Sequence, residues 1–188
     1  MVDSKIDMLV KSANGFFKAG REVAEKIHQE MAYNTCWEIV PVAIMNLNFS
    51  AELFLKFILY ISNKESEFYG HELKVLFERL PDSVKSEIQN EYDLLRKKDL
   101  EYPIIKLSYG TFKDNPDDLI VNDIMNLNVA KLLDIHSRAF IEWRYSYEKV
   151  GGKSYLEYNF DLMINFIQSI KNVFYRNGVL TELNKTTP

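Results

Sequence analysis

Few side chains in this chain could carry chemistry, and their spacing narrows the field further. The three histidines, His28, His71 and His136, fall in separate segments, and Cys36 is the single cysteine. One cysteine forms no internal disulfide and builds no Cys-based zinc site. His136 has no second ligand at metal-ligand spacing, so it reads as a core imidazole with a hydrogen-bond partner. No Gly-rich phosphate loop, GxSxG elbow, HExxH or CxxC occurs, nor a paired-Asp strand motif of the kind that holds metal in a nucleotidyltransferase. Asn115-Pro116-Asp117-Asp118 reads as a helix start, with cap, proline and first-turn acids, because calcium-loop spacing is missing. Neither metal nor cofactor is expected.

What remains is a small set of charges at the edge of apolar helices. Asn48, Glu52 and Lys56 are each four residues from the next, which puts them on one helix face. Glu52 and Lys56 form an ion pair that closes the bundle, lies at a dimer seam, or belongs to a binding site. Arg144 stands about 40° from Phe140 around a helix, on the border of an apolar stripe. A guanidinium there needs a partner. Glu148 or Glu52 would supply a structural one, and an RNA or nucleotide phosphate a functional one. Arg138, Tyr145, Lys131, Asp134 and Glu142 occupy the opposite, polar face, where Asp134 and Arg138 are spaced for an i,i+4 pair.

The element that must position these groups is Ile39–Ile61, IVPVAIMNLNFSAELFLKFILYI, apolar around most of its circumference. Its length would suit a membrane span. An acid, a base and two asparagines inside it argue instead for the central helix of a soluble domain, with no membrane. Ahead of it, residues 4 to 31 carry apolar side chains at helical spacing, with Asp3 or Ser4 as cap. Gly15 and Gly20 inside that helix allow a kink or a close helix contact. His71–Leu80 reads as a short helix ended by Pro81, and Asp82 or Ser83 caps another to about Lys98. Glu101–Asn115 is irregular and aromatic, either a short strand pair or a packed loop. A long helix is predicted over Leu119–Lys149, a break at Gly151-Gly152, and a last helix over Ser154–Arg176 ended by Asn177-Gly178.

Composition sets the frame. The 188 residues are 47% hydrophobic and 13% aromatic, enough for one domain with a sizeable core. Seven Gly and five Pro favour long helices over many turns. A net charge of −4 gives no global attraction to nucleic acid or anionic membrane, so any such contact needs a local basic patch. The N-terminal stretch lacks a continuous apolar signal core, which makes the cytoplasm the expected location. The expectation is an all-α, up-and-down bundle of about five to six helices. Residues 1–188 form one domain with its core over about 35–177, a long first helix over 4–31 and a loose tail over 179–188.

Three local patterns together resemble one family. Phe49-Ser50-Ala51-Glu52-Leu53-Phe54-Leu55-Lys56 resembles the "ExxxK" helix of HEPN-type domains (higher eukaryotes and prokaryotes nucleotide-binding). Gly70-His71-Glu72-Leu73, with Leu76-Phe77 and Leu80-Pro81, is similar to the segment that follows that helix in many bacterial members. Phe140 to Glu148, FIEWRYSYE, is similar to their late helix. The resemblance spans about residues 35 to 177. It implies a dimeric helical bundle and, for many members, metal-independent ribonuclease activity in toxin–antitoxin or phage-defence systems. There an Arg and a His four to six residues later would stabilise phosphorane charge and manage protons. Here neither Arg138 nor Arg144 is followed by such a His, and the Arg21–His28 spacing lies in the wrong helix. The standard catalytic pair is therefore not carried over.

The reading is thus a HEPN-like protein that binds RNA, a nucleotide or a partner protein, with an antitoxin or nucleotidyltransferase as candidate partner and a homodimer as its assembly. Glu52, Lys56, Arg138, Arg144 and Tyr145 are the candidate binding residues. The alternatives are a ribonuclease with a rearranged site drawing on Arg144, His71 or His136, and a purely structural dimerisation module.

Overall fold

In the computed structural model, residues 4–30, 38–63, 70–96, 104–109, 127–145 and 154–176 are described. The organising element is α2 (Val40–Asn63), with Pro41 in its first turn, where a missing N–H does little harm. Ile44, Leu47, Phe54, Leu55, Phe57 and Ile58 are all 0% exposed, so helices enclose it on several sides. By length and composition α2 could cross a membrane, yet most of it is buried within the bundle.

α1 (Ser4–Glu30) lies along α2. Small residues bring the two backbones together, and Gly20 is a point of close approach. A Cβ at Gly20 would stand 2.9 Å from Leu47 Cγ and 3.0 Å from the Leu47 backbone nitrogen. Farther along, Ser50 Oγ donates to the Ala13 carbonyl at 2.8 Å, and Phe16 meets Phe49 edge to face.

After α2 come α3 (Leu73–Glu78) and α4 (Asp82–Arg96), with Leu80-Pro81 between them. α4 packs on α7 (Phe160–Arg176). Buried Glu91 ties them by accepting from Asn172 Nδ2 at 2.7 Å and from the Arg176 guanidinium.

The chain is an all-α helical bundle, and in two places the elements differ from the sequence expectation. Ser154–Asn159 is a strand, β2, rather than the first turns of the last helix, and it pairs antiparallel with β1 (Ile104–Tyr109). Ile104 stands opposite Asn159 and Tyr109 opposite Ser154. The switch to helix falls at Asn159, whose Oδ1 accepts the Leu162 N–H at 3.0 Å. An asparagine that caps cannot also sit inside the helix. The strand pair left open for Glu101–Asn115 therefore has one partner inside that stretch and the other far along the chain, in β2.

The second difference is the long helix expected over Leu119–Lys149. The described part is two helices, α5 (Val129–His136) and α6 (Ala139–Arg144). Asn128, extended at φ −75° and ψ 167°, caps α5 by accepting the Lys131 N–H at 2.9 Å. At Ser137–Arg138 the helix is interrupted, and Arg138 takes φ −104° and ψ 4°. The helix start at Asn115–Asp118 and the break at Gly151-Gly152 lie outside the described residues.

Candidate functional site

The polar strip of α2 does not face water. Asn48 is 2% exposed and bridges two other elements: its Nδ2 donates to the His136 carbonyl at 3.1 Å, and its Oδ1 accepts from the Tyr158 hydroxyl at 2.7 Å. One helical turn on, Glu52 Oε1 accepts from Lys56 Nζ at 2.7 Å and meets His71 Nδ1 at 2.9 Å. A single carboxylate oxygen thus collects a lysine from its own helix and a histidine from the approach to α3. The side chains grade from inside to outside, with Glu52 5% exposed, Lys56 15% and His71 73%.

Local backbone explains why His71 can reach back. Gly70 has φ 98°, a left-handed conformation that favours glycine, and it turns the chain just before His71. α3 is also pinned from the other side. The Lys74 N–H donates to Ser137 Oγ at 3.3 Å, and Lys74 Nζ pairs with Asp134 at 2.8 Å. The α5–α6 junction therefore sits beside the start of α3. Asp134 takes Lys74 of α3 as its partner, not Arg138 as the i,i+4 spacing suggested.

A carboxylate only accepts, so the proton in the Glu52–His71 bond sits on Nδ1. That leaves Nε2 of an exposed ring for exchange with water or a ligand. Chemically this is an imidazole with fixed tautomer and orientation, presented beside a lysine.

His136 is different. It is 1% exposed, and burial pushes its pKa down from 6.5 to about 3. Its Nε2 accepts the Asn159 N–H at 3.4 Å, its ring lies 4.6 Å from that of Tyr158, and its Nδ1 has no hydrogen-bond partner among the described residues. An imidazole sealed from solvent and held neutral has no route to a substrate proton. It belongs to the core, as its place on the apolar stripe implies.

α6 packs on α2 through Phe140, 6.2 Å from Phe49, and through buried Trp143. Arg138 and Arg144 stand at the two ends of α6, both exposed. Arg144 is not buried against Glu52. Its guanidinium lies 5.3 Å from the ring of Tyr145, which is itself 37% exposed. Glu148, the other expected partner, lies outside the described residues. Folding thus brings Glu52, Lys56 and His71 together, pairs Arg144 with Tyr145, and leaves Arg138 at the α5–α6 junction. Among the described residues no group of three His, Cys, Asp or Glu side chains could hold a metal ion.

Sequence reasoning did not anticipate the hydrogen bonds joining Asn48, Tyr158 and His136. Asn48 was conspicuous as part of the strip, but its partners lie 88 and 110 residues away. Comparison with family models, characterised proteins and solved structures gives no match for the chain.

Proposed function

We propose that this protein is a HEPN-like helical module that binds RNA along α6 and the start of α3. The reading is carried by the Glu52–His71 bond, in which a core carboxylate fixes an exposed imidazole at the surface. The exposed Arg138 and Arg144 supply positive charge for phosphates, Tyr145 supplies an aromatic face for a base, and Lys56, paired with Glu52, stands beside the imidazole. A local patch of this kind is what a chain of net charge −4 would need. The same reading makes the protein a homodimer in a toxin–antitoxin or phage-defence setting, with an antitoxin or nucleotidyltransferase as protein partner. Exposed Val75, Ile135 and Ile141 offer apolar surface for a second copy.

The test is fluorescence anisotropy with labelled single-stranded RNA at several salt concentrations. Binding should weaken as salt rises. Arg138→Ala with Arg144→Ala should lower affinity at least about tenfold and flatten the salt slope by about one for each phosphate no longer bound. No salt-dependent binding would leave the dimerisation module as the better account.

The geometry of His71 also favours a second reading, a metal-independent endoribonuclease. His71 Nε2 would take the ribose 2′-OH proton as that oxygen attacks phosphorus. The 5′-oxygen would leave and take a proton from water, His71 would return its proton to solvent, and a 2′,3′-cyclic phosphate and a 5′-hydroxyl would result. Arg144 would offset the developing charge. Incubation with labelled RNA in EDTA tests it: cleavage abolished by both His71→Ala and Arg144→Ala supports the enzyme, and intact RNA excludes it.

A further inference from the structure

A second place in the molecule combines a cavity with a cation that has no counter-charge among the described residues. Between α1 and α7 runs a groove of ≈ 490 Å³, sharing no residue with the Glu52–His71 site. Its α1 wall presents Asn14, Phe17, Lys18, Arg21 and Glu25, spaced along one helix face, and Lys171 of α7 stands across from them. α1 lies against α2 along much of its length and meets α7 far less, which leaves the space between them.

Lys18 lies 4.0 Å from Glu22, and Arg21 donates to Glu25 at 3.1 Å. Lys171 has no carboxylate among the described residues. Its amine lies 4.6 Å from the centroid of the Phe17 ring, an aromatic face that is buried beneath it. Burial lowers its pKa from the usual 10.5, and the nearby Arg21 charge lowers it further. A half-buried ammonium with no carboxylate among the described residues is a point where one negative charge would offset the cost of burial. The aliphatic stems of Lys18, Arg21 and Lys171 with Phe17 give apolar surface beside the Lys171 amine.

We propose that the α1–α7 groove binds a small organic carboxylate, a monoanion with a compact apolar body, whose charge is held by Lys171. The volume lies within the range of roughly 300–1,000 Å³ typical of small-molecule sites. This inference does not depend on RNA binding, and the two can fail separately.

Benzoate is the probe, with its uncharged methyl ester and phenyl phosphate as comparisons. The full-length chain, labelled with ¹³C at lysine Cε, would be titrated and the lysine resonances followed. Saturable movement of the Lys171 resonance with benzoate, and none with methyl benzoate, is expected. Lys171→Met should weaken binding, read by calorimetry, at least about tenfold, while Lys171→Arg keeps it within about threefold. Equal binding by wild type and Lys171→Met overturns the proposal. So does the absence of any saturable shift at Lys171 up to concentrations on the order of tens of millimolar, which needs no variant to fold. Tighter binding of phenyl phosphate than of benzoate overturns the assignment to a carboxylate.

Discussion

His71 Nδ1 lies 2.9 Å from Glu52 Oε1, joining the middle of α2 to the approach to α3, 19 positions later. Glu52 also holds Lys56, and the exposures of the three groups separate their contributions to stability. Glu52→Ala leaves the Lys56 ammonium mostly buried without a counter-charge, so it should cost about 3–5 kcal/mol in urea unfolding. Glu52→Ala with Lys56→Met should recover most of that loss, because the stranded charge is gone. His71→Ala should cost less than about 1 kcal/mol, since its ring is largely in water. A loss for His71→Ala as large as that for Glu52→Ala would make His71 a structural residue.

How much of this was legible beforehand depends on the range of the interaction. α2 and its polar strip follow from local periodicity: residues four apart share a face whatever the fold, so the Glu52–Lys56 pair was readable. His71 reaching Glu52 needed the turn at Gly70, which spacing alone does not reveal. β2 was hidden because Leu156, Phe160 and Met163 continue the apolar spacing of the helix behind them. What makes Ser154–Asn159 a strand is its partner at Ile104–Tyr109, distant in sequence. The interruption at Ser137 was hidden for a similar reason, since Asp134 and Ser137 both bond Lys74 from another helix. Arg144 was expected at a core border, and the short α6 instead leaves it in solvent beside Tyr145.

Two glycines of α1 should respond in opposite directions. A Cβ added at Gly15 would meet nothing within 4 Å among the described residues, so Gly15→Ala should stabilise the protein by roughly 0.5–1 kcal/mol through helix propensity. Gly20→Ala places its methyl 3.0 Å from the Leu47 backbone nitrogen, which cannot move without moving α2. It should cost about 1–3 kcal/mol despite the same propensity gain. Thermal unfolding of the two variants beside wild type decides it. Equal shifts would mean that α1 and α2 do not approach as closely as described.

Acid should weaken the fold in two windows. The pKa of His136 is depressed from 6.5 to about 3 by burial, so the unfolded chain binds a proton there that the folded chain refuses. Its effect is absent above about pH 6.5 and grows as pH falls toward 3, at up to about 1.4 kcal/mol per pH unit. Glu91 acts lower. Burial pushes its pKa up, but hydrogen bonds from Asn172 and Arg176 outweigh that and hold it below 4.5. Its stabilisation is present above that value and disappears as pH drops through the folded pKa. Urea unfolding between about pH 7 and 5 should therefore show a slope that His136→Gln removes and Glu91→Gln leaves in place. A wild-type stability that is flat over that interval would show that His136 is not held neutral.

The bonds made by Asn48 should be worth more than its size suggests. Its amide satisfies the His136 carbonyl and the Tyr158 hydroxyl at once, and Asn48 and Tyr158 are both nearly sealed from water. Burial also pushes the Tyr158 pKa well above 10, so the hydroxyl stays protonated and must donate to something. Asn48→Leu keeps the volume but strands a buried donor and removes the partner of a buried carbonyl, which should cost about 2–4 kcal/mol. Tyr158→Phe alone removes the donor and leaves only the Asn48 oxygen short of a bond, so about 1–2 kcal/mol is expected. Combining the two removes both ends of the bond, and the double variant should be more stable than the sum of the single losses predicts by about 1 kcal/mol or more. If the losses simply add in chemical denaturation, Asn48 and Tyr158 are not coupled, and β2 is held against α2 by packing alone.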